Sequence, residues 1–279
     1  MATDGAVPPA LISADASETL RAMAEAATHA GEALLTASRD RHLLKVTQKT
    51  AGDFVSDADH QSEAIIAAHL ERAFPGYGWL GEESAEKSSQ VDGLRWIVDP
   101  LDGTTNFLKG LPHWAVSIAL YQQDVPLCGI IHDPAKSETF SAERGRGAYL
   151  NGCRITVNKC TALNSALLAT GVPAGGRATY LPHCLRDLDH LMPKTAGIRR
   201  WGAAALDLAY VAAGRLDAYW ERNLGAWDIA AGALIVEEAG GTVMPLFPDR
   251  PLLATGSFLA GDPDLLLHVV AGLDRGKAW

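Results

Sequence analysis

Cysteine is scarce in this chain of 279 residues, and the four cysteines present form no recognisable motif. No two of them make a CxxC pair, and no histidine stands beside them at the spacing of a zinc site. We therefore expect neither a disulfide framework nor a structural zinc site. A buried free thiol is expected at each position, namely Cys128, Cys153, Cys160 and Cys184.

Long hydrophobic runs are also absent, because charge or glycine interrupts each apolar stretch before the ~18 residues that a membrane-spanning helix needs. The N-terminal segment has neither the basic region nor the apolar region of a secretory signal. We expect a cytoplasmic protein with no membrane partner. Residues 1–14 should form a flexible tail, and residues 15–279 a single domain.

Basic residues are in deficit, since 24 Lys and Arg stand against 33 Asp and Glu and give a formal net charge of −9. Nucleic acids are held by basic patches, so we expect no nucleic-acid partner. An acidic total is compatible with a protein that holds cations on carboxylates, and equally with an acidic surface that keeps a protein in solution. The positions of the carboxylates must decide between these two readings.

Apolar periodicity predicts two helices in the first part of the chain. The first should run from about Asp15 to Arg39, with Asp15 and Glu18 as a capping box. The second should begin near Asp57 and stop at Phe74, where proline and glycine follow.

Strand patterns dominate after residue 95, where WAVSIALY and VPLCGIIHD are rich in β-branched residues and GRGAYLNG predicts a tight hairpin. From residue 158 onward, apolar runs alternate with helical patterns. Helices are expected near residues 180–192, 203–213 and 263–271, and in the segment AWDIAAGALIVEEAGG. This alternation predicts an α/β or α+β fold with layered sheets, in which any two halves meet near residues 158–164.

The segment WIVDPLDGTTNF carries the strongest chemical signal. An apolar strand delivers Asp99 and Asp102, three residues apart. Magnesium prefers oxygen ligands, so these two carboxylates and the Leu101 carbonyl form a plausible bridging set for two ions. If a helix starts at Gly103, the backbone N–H groups that follow would face a phosphate.

Two further acidic segments become informative when they are considered together with WIVDPLDGTTNF. Glu82 and Glu83 follow an apolar pair in GEES, and Asp228 opens a predicted helix in WDIAAG. Alone, the first is typical of a solvated loop and the second of a helix N-cap. Together GEES, DPLDGTTNF and WDIAAG, in that order, resemble the inositol monophosphatase family. KGLPHWAVSIAL and GAAALDLAYVAAGRLDAYWE extend the resemblance over nearly the whole chain.

The resemblance implies an αβαβα layered sandwich, usually a homodimer, that holds two to three Mg²⁺ ions and is sensitive to lithium. It implies hydrolysis of a small phosphate monoester, myo-inositol monophosphate above all, by a metal-activated water. The implied catalytic residues are Glu82, Thr104 and Asp102. The implied metal ligands are Glu82, Asp99, the Leu101 carbonyl, Asp102 and Asp228.

The resemblance also implies a substrate site for a phosphorylated polyol or sugar. Glu221 matches the position that accepts hydrogen bonds from ring hydroxyls, while Ala203 lacks the hydroxyl that relatives often carry there. Lys49 and Ser56 match a loop that shields the site, and His113 is expected to be structural. The implied substrate contacts are Asp102, Gly103, Thr104, Gly202, Ala203, Ala204, Glu221 and Asp228.

Several alternatives stay open at this point. Fructose 1,6-bisphosphatase, histidinol-phosphate phosphatase and nucleoside 3′,5′-bisphosphate phosphatase activities would use the same metal core. A role as a non-catalytic regulatory binding protein belongs to a different class. Asp57 and Asp59 are either charges at a helix start or groups that support the metal ligands.

Overall fold

The computed structural model describes residues 11–50, 52–160, 162–173 and 177–273. Most of the expected N-terminal tail, residues 1–10, lies outside this range. The helices of the described residues are α1 (Glu18–Arg39), α2 (Asp57–Ala73), α3 (Thr104–Lys109), α4 (Arg177–Leu191), α5 (Ala204–Ala212), α6 (Ala226–Glu238), α7 (Leu252–Thr255) and α8 (Pro263–Val270). None of the helices within these ranges has the length and apolarity to cross a membrane.

The strands form a hairpin and two larger sheets. The hairpin joins β1 (Val46–Thr50) to β2 (Asp53–Ser56). The seven-stranded sheet contains, in spatial order, β3 (Gly78–Gly81), β4 (Leu94–Asp102), β5 (Ala115–Gln122), β6 (Val125–Asp133), β7 (Glu138–Glu143), β8 (Gly147–Leu150) and β9 (Cys153–Ile155). The five-stranded sheet has the order β11 (Gly197–Arg199), β10 (Leu167–Thr170), β12 (Ala218–Glu221), β14 (Phe258–Gly261) and β13 (Thr242–Pro245).

These elements stack in five layers. Helices α1 and α2 cover one face of the seven-stranded sheet, and α5 and α6 cover the other. The five-stranded sheet packs beyond α5 and α6, with α8 on its outer face. Side chains alternate across this sheet, so that Tyr219 joins the core with α5 and α6 whereas Trp220 joins the core with α8. The predicted αβαβα sandwich is confirmed.

The first helix begins later than predicted. Ser17, not Asp15, is the N-cap of α1, because its hydroxyl accepts from the Leu20 amide at 3.1 Å. A remote strand fixes this choice, since the Ser17 amide donates to Glu143 on β7. The second helix begins at Asp57 as predicted, with Ser56 as its N-cap and Asp59 completing the capping box.

Some smaller expectations need correction. Three of the cysteines are buried and free, but Cys153 is exposed, because it stands on the short edge strand β9. The helix expected at residues 180–192 begins earlier, at Arg177. The strands β13 and β14 were not predicted, since each has only four residues and one glycine or proline among them.

Candidate functional site

A β-bulge brings Asp99 and Asp102 to the same side of β4. Side chains three residues apart on a regular strand point to opposite faces. Here Asp99 is opposite Ser117 and Asp102 is opposite Ala115 on β5, so β4 contains one extra residue between the two carboxylates. The Leu101 amide donates to the Asp99 carboxylate at 2.9 Å and fixes the bulge.

Asp228 completes a cluster of three carboxylates with ligand atoms within 4.8 Å of one another. It is the third residue of α6, and it accepts from the Gly225 amide at 2.7 Å. Burial, followed by repulsion from neighbouring carboxylates, raises the pKa of Asp99 and of Asp228 well above the usual value. A donor set of carboxylates at this spacing fits a hard divalent cation, whose charge would relieve the repulsion.

Glu82 lies next to this cluster but is also paired with a cation. Its amide donates to the Val98 carbonyl of β4 at 3.1 Å, which continues the parallel pairing of β3 with β4. The Lys49 ammonium lies 3.0 Å from Glu82 and 2.6 Å from Glu83. Burial raises the pKa of Glu82 to about 7, against the opposing effect of Lys49. Partial burial lowers the pKa of Lys49, but the charges of Glu82 and Glu83 outweigh this effect and raise that pKa above its usual value.

Thr104 is tied to Asp59, a residue whose place in the site the sequence left open. The Thr104 hydroxyl lies 3.0 Å from the Asp59 carboxylate and 3.1 Å from the Leu101 carbonyl. Asp59 is buried and also accepts from the Ser56 amide and hydroxyl. The first turn of α2 therefore holds the first residue of α3.

Asp102 is held at the start of α5. Its two carboxylate oxygens accept from the Ala204 amide at 3.2 Å and the Ala205 amide at 2.8 Å. Burial raises the pKa of Asp102 to about 6, and these backbone bonds counteract part of that effect. A carboxylate at a helix N-terminus also gains from the helix dipole. Asp102 thus links the bulge of β4 to the layer of α5 and α6.

Glu221 forms the opposite part of the site, at the end of β12. Its carboxylate accepts from the Tyr219 hydroxyl, and burial raises its pKa to about 7. It lies directly against Gly171, where an added Cβ would stand 1.9 Å from Glu221 Oε2. Gly171 is therefore needed for the observed position of Glu221.

A cavity of about 340 Å³ brings these groups together. Ten of the predicted site residues line it: Glu82, Asp99, Leu101, Asp102, Gly103, Thr104, Gly202, Ala204, Glu221 and Asp228. Ala203 does not, because it is buried with its Cβ close to Gly103. Asn106, Arg200 and Val172 also line the cavity and were given no role from the sequence. Asn106 lies within the segment WIVDPLDGTTNF, whereas Arg200 and Val172 stand in none of the acidic motifs.

The loop that carries Gly202 is tied to the central motif by Asn106. The Asn106 amide donates at 2.8 Å to the His113 carbonyl and at 2.8 Å to the Trp201 carbonyl. His113 lies behind the site, near Trp201 and 3.7 Å from Asp207. Burial lowers the pKa of His113 to about 4, so its ring is neutral at pH 7.

Comparison with known proteins gives consistent matches over nearly the whole chain. Residues 15–273 match the sequence profile of the inositol monophosphatase family. The chain is 46% identical to the inositol-1-monophosphatase of Rhizobium meliloti, over 88% of this chain and 92% of that protein. It is 44% identical to a protein of Pseudomonas aeruginosa named Nus factor SuhB, over 85% of this chain and 89% of that protein.

Solved structures agree. The extragenic suppressor protein suhB of Bartonella henselae superposes with a TM-score of 0.89 and 42% identity, over 94% of this chain and all 100% of that one. The inositol monophosphatase of Anabaena superposes with a TM-score of 0.79 and 36% identity, over 94% and 98% of the two chains. The chain therefore belongs to the inositol monophosphatase family.

Proposed function

We propose that this protein is a Mg²⁺-dependent phosphatase that hydrolyses a small phosphate monoester, with myo-inositol monophosphate as its substrate. The observation that carries the proposal is the cluster of Asp99, Asp102 and Asp228 in the wall of a cavity. Three repelling carboxylates in a poorly solvated place are unfavourable unless cations join them. A purely structural role for the cluster leaves that cost without compensation.

Two to three magnesium ions would be held by Glu82, Asp99, the Leu101 carbonyl, Asp102 and Asp228. When bound, they would stabilise charge on phosphate oxygens and make a water molecule more acidic. The protein's own contribution is to hold five oxygen ligands around one cavity, from β4, from α6 and from Glu82 directly after β3.

Thr104 and Glu82 would act on the attacking water. If the Thr104 hydroxyl donates to Asp59, 3.0 Å away, its oxygen is left as an acceptor that can orient water. Glu82, whose pKa is raised to about 7 by burial, can take up a proton near neutral pH. Asp102 would hold a metal ion and a substrate hydroxyl from its fixed place at the start of α5.

The substrate half of the cavity would use backbone and carboxylate groups. The N–H groups of Gly103 and Thr104 would donate to phosphate oxygens, and Glu221 would accept from ring hydroxyls. The backbone of Gly202, Ala203 and Ala204 would contact the ring, and the Ala203 side chain lies close to Gly103. Asp228 would bind a metal ion beside the oxygen that leaves from phosphorus.

The experiment is an assay of phosphate release by purified protein with four esters, each with magnesium, with chelator and with added lithium. The esters are myo-inositol 1-phosphate, fructose 1,6-bisphosphate, histidinol phosphate and adenosine 3′,5′-bisphosphate. We expect magnesium-dependent and lithium-sensitive release, fastest from the inositol ester. A preference for another ester would move the substrate assignment and leave the metal chemistry in place.

A sugar bisphosphate is a second candidate substrate because of Arg200. This exposed side chain lines the cavity, and its guanidinium donates to the Val172 carbonyl at 3.4 Å. Its charge counteracts the rise in the pKa of Glu221 and of Asp207 that burial causes, so it acts within the cavity and would also attract a second anionic group on a substrate. Replacing Arg200 with Gln should reduce hydrolysis of fructose 1,6-bisphosphate more than that of the inositol ester. An equal effect on both esters would remove the support for this candidate.

A regulatory binding role remains the candidate from a different class, since relatives such as the one from Pseudomonas aeruginosa carry the name Nus factor SuhB. Absence of phosphate release from all four esters would favour it. We also propose a homodimer without a nucleic-acid partner, which sedimentation analysis and nucleic-acid binding assays can test.

A further inference from the structure

The Tyr219 hydroxyl is a buried polar group whose hydrogen bond goes to a residue of the cavity wall. Tyr219 stands two residues before Glu221 on β12, so both side chains lie on the face of the strand that is turned toward α5 and α6. The hydroxyl donates to Glu221 Oε2. Tyr219 itself is fully buried and does not line the cavity, so it can act on a substrate only through Glu221.

Neighbouring residues of β14 fix the Tyr219 ring. Ala260 stands opposite Tyr219 and Phe258 stands opposite Glu221 in the antiparallel pairing of β12 with β14. The Tyr219 and Phe258 rings pack edge to face, with centroids 5.2 Å apart at 78°. The small Ala260 leaves room for the ring, and Phe258 sets its tilt. The hydroxyl is therefore held at a constant place beside the Glu221 carboxylate.

The direction of this hydrogen bond is set by the charge state of Tyr219. Burial, followed by the negative charge of Glu221, raises the pKa of Tyr219 well above its usual value. The hydroxyl therefore stays protonated at neutral pH and donates. A bond donated to a carboxylate is stronger than one between neutral groups, so Glu221 Oε2 is firmly occupied.

The second oxygen of Glu221 is left for a ligand. No described residue donates a hydrogen bond to Oε1, and Glu221 lines the cavity. The backbone of Gly171 closes one side of the carboxylate, since an added Cβ there would stand 2.1 Å from Oε1. A ligand hydroxyl in the cavity would satisfy Oε1. A ligand without a donor would leave a poorly solvated acceptor unpaired, which costs binding energy.

We propose that Tyr219 is a positioning residue that sets substrate specificity. By binding Glu221 Oε2, it holds Oε1 as a single acceptor for a ring hydroxyl of a phosphorylated polyol. This inference rests on the proposed phosphatase function and narrows its substrate class. A phosphate ester without hydroxyl groups gains nothing from the bond, so its loss should reduce the preference for polyol esters and leave the chemical step intact.

The kinetic test compares Tyr219→Phe with the wild type on myo-inositol 1-phosphate and on 4-nitrophenyl phosphate, which has no hydroxyl group. We expect KM for the inositol ester to rise about 10-fold, the loss of one hydrogen bond to a charged group. The kcat for that ester and both constants for 4-nitrophenyl phosphate should stay close to those of the wild type. An equal loss with both esters would overturn the proposal.

Tyr121→Phe is the matched control. Tyr121 is also buried, its hydroxyl donates to the Ala230 carbonyl at 3.2 Å, and it lies outside the cavity wall. This variant loses a buried hydroxyl without changing Glu221, and it should keep the KM of the wild type for both esters. A rise in KM equal to that of Tyr219→Phe would show a general effect of losing a buried hydroxyl, and would overturn the proposal.

A double-mutant cycle tests whether Tyr219 acts through Glu221. Glu221→Ala removes the acceptor, so adding Tyr219→Phe to it should cause no further change in KM for the inositol ester. A second rise of about 10-fold in the double variant would mean that the two residues act independently. That result would contradict positioning.

A titration without any ester separates this proposal from the proposed function. The bond from Tyr219 lowers the pKa of Glu221, which burial raises to about 7, while the nearby charges of Asp207, Arg200 and Asp102 are the same in the variant. Carboxyl NMR of full-length protein with isotope-labelled glutamate should therefore show a higher Glu221 pKa in Tyr219→Phe. An unchanged pKa with normal phosphate release would overturn only the role of Tyr219. Absence of release from both esters by the wild type would overturn the proposed function, and the role in specificity with it.

Discussion

Asp99, Asp102 and Asp228 are three carboxylates that repel one another inside a partly desolvated cavity. Each has a pKa raised first by burial, and neighbouring acids add to the effect. Asp102 differs from the other two, because two amides of α5 hold it in place. Its geometry is thus fixed without a metal ion.

The pair of Thr104 and Asp59 is tested by changing only the hydroxyl. Thr104→Val should lower kcat roughly 100-fold, the size of effect expected for loss of a group that assists proton transfer. Thr104→Ser keeps the hydroxyl 3.0 Å from Asp59 and should retain most of the activity. Steady-state kinetics with both variants decide the matter, and equal activity of the two would contradict a role for the hydroxyl.

The position of Glu221 is tested through Gly171. Gly171→Ala would place a methyl group 1.9 Å from the Glu221 carboxylate and displace it from the cavity. We expect KM to rise about 10-fold or more, the loss of one charged hydrogen bond, with a smaller change in kcat. Gly197→Ala, on the edge strand β11, is the control, because a Cβ at Gly197 meets only the ends of the Arg199 and Leu167 side chains. A normal KM for Gly171→Ala would remove Glu221 from substrate binding.

At the residue level, the sequence predicted ten of the residues that line the cavity, because short motifs carry them. It left the role of Asp59 open, since its partner Thr104 is 45 residues away. The packing of the Ala203 side chain against Gly103 was also not foreseen, and the contact of its backbone with the substrate stays a prediction. Both features come from tertiary packing that spacing along the chain does not encode.

At the level of elements, the bulge in β4 is the feature on which the site depends. With the same three-residue spacing on a regular strand, Asp99 and Asp102 would face opposite sides of the sheet. The Ser62 hydroxyl of α2 donates to the Pro100 carbonyl at 2.8 Å, so the helix layer stabilises the bulge. The site is therefore built from the sheet, and the layers on both sides hold it.

The packing of α1 on β6 predicts a specific pH dependence of stability. His132 is buried against Gly31 of α1, its ring Nδ1 lies 2.9 Å from the Thr139 hydroxyl, and burial lowers its pKa to about 4. Between pH 4 and the unfolded pKa of about 6.5, the unfolded chain binds a proton that the folded chain does not. Stability from this histidine is therefore present above about pH 6.5 and is lost as the pH falls.

His132→Asn should remove most of this dependence. Denaturant unfolding at pH 7 and pH 4.5 should show the wild type losing about 2–3 kcal/mol more than the variant over that interval. The variant itself is expected to be less stable at pH 7, because the ring leaves a space beside Gly31. Parallel losses in the two proteins would show that His132 is not the group responsible.

Helix positions were predictable where a capping residue marks the start, as in α2 and α8, and where a long run of apolar small residues follows, as in α5 and α6. The start of α1 was misplaced by three residues, since Ser17 and Asp15 are both good caps and only the contact with Glu143 selects between them. The hairpin of β1 and β2 and the strands β13 and β14 were missed. Their runs are short, and β1 is largely polar, so neither alternation nor β-branched content marks them.

For the whole molecule, the site is where the two sheets meet across the α5 and α6 layer. Asp99 and Asp102 come from the seven-stranded sheet, Glu221 from the five-stranded sheet, and Asp228 from α6 between them. Family resemblance made this layered order predictable as a whole, although no single segment encodes it. Binding at the site should therefore couple the layers to one another.

Magnesium should stabilise the folded protein, because it relieves repulsion that the unfolded chain does not have. At a concentration of 100 times Kd, the expected gain is about 2.7 kcal/mol. Thermal unfolding in magnesium chloride and in sodium chloride of equal ionic strength separates binding from screening. Equal melting temperatures in the two salts would contradict specific binding.

The most direct test is the initial rate of phosphate release from myo-inositol 1-phosphate by the wild type, Asp102→Asn and Asp57→Asn, with magnesium and with chelator. Asp57 is the matched control, because it is exposed at the start of α2 and outside the cavity wall. We predict that chelator abolishes release, that Asp57→Asn is nearly normal, and that Asp102→Asn stays folded but loses more than about 100-fold in rate, beyond the usual loss for groups that only support a ligand. Release that persists in chelator, or near-normal turnover by Asp102→Asn, would contradict the metal-dependent mechanism.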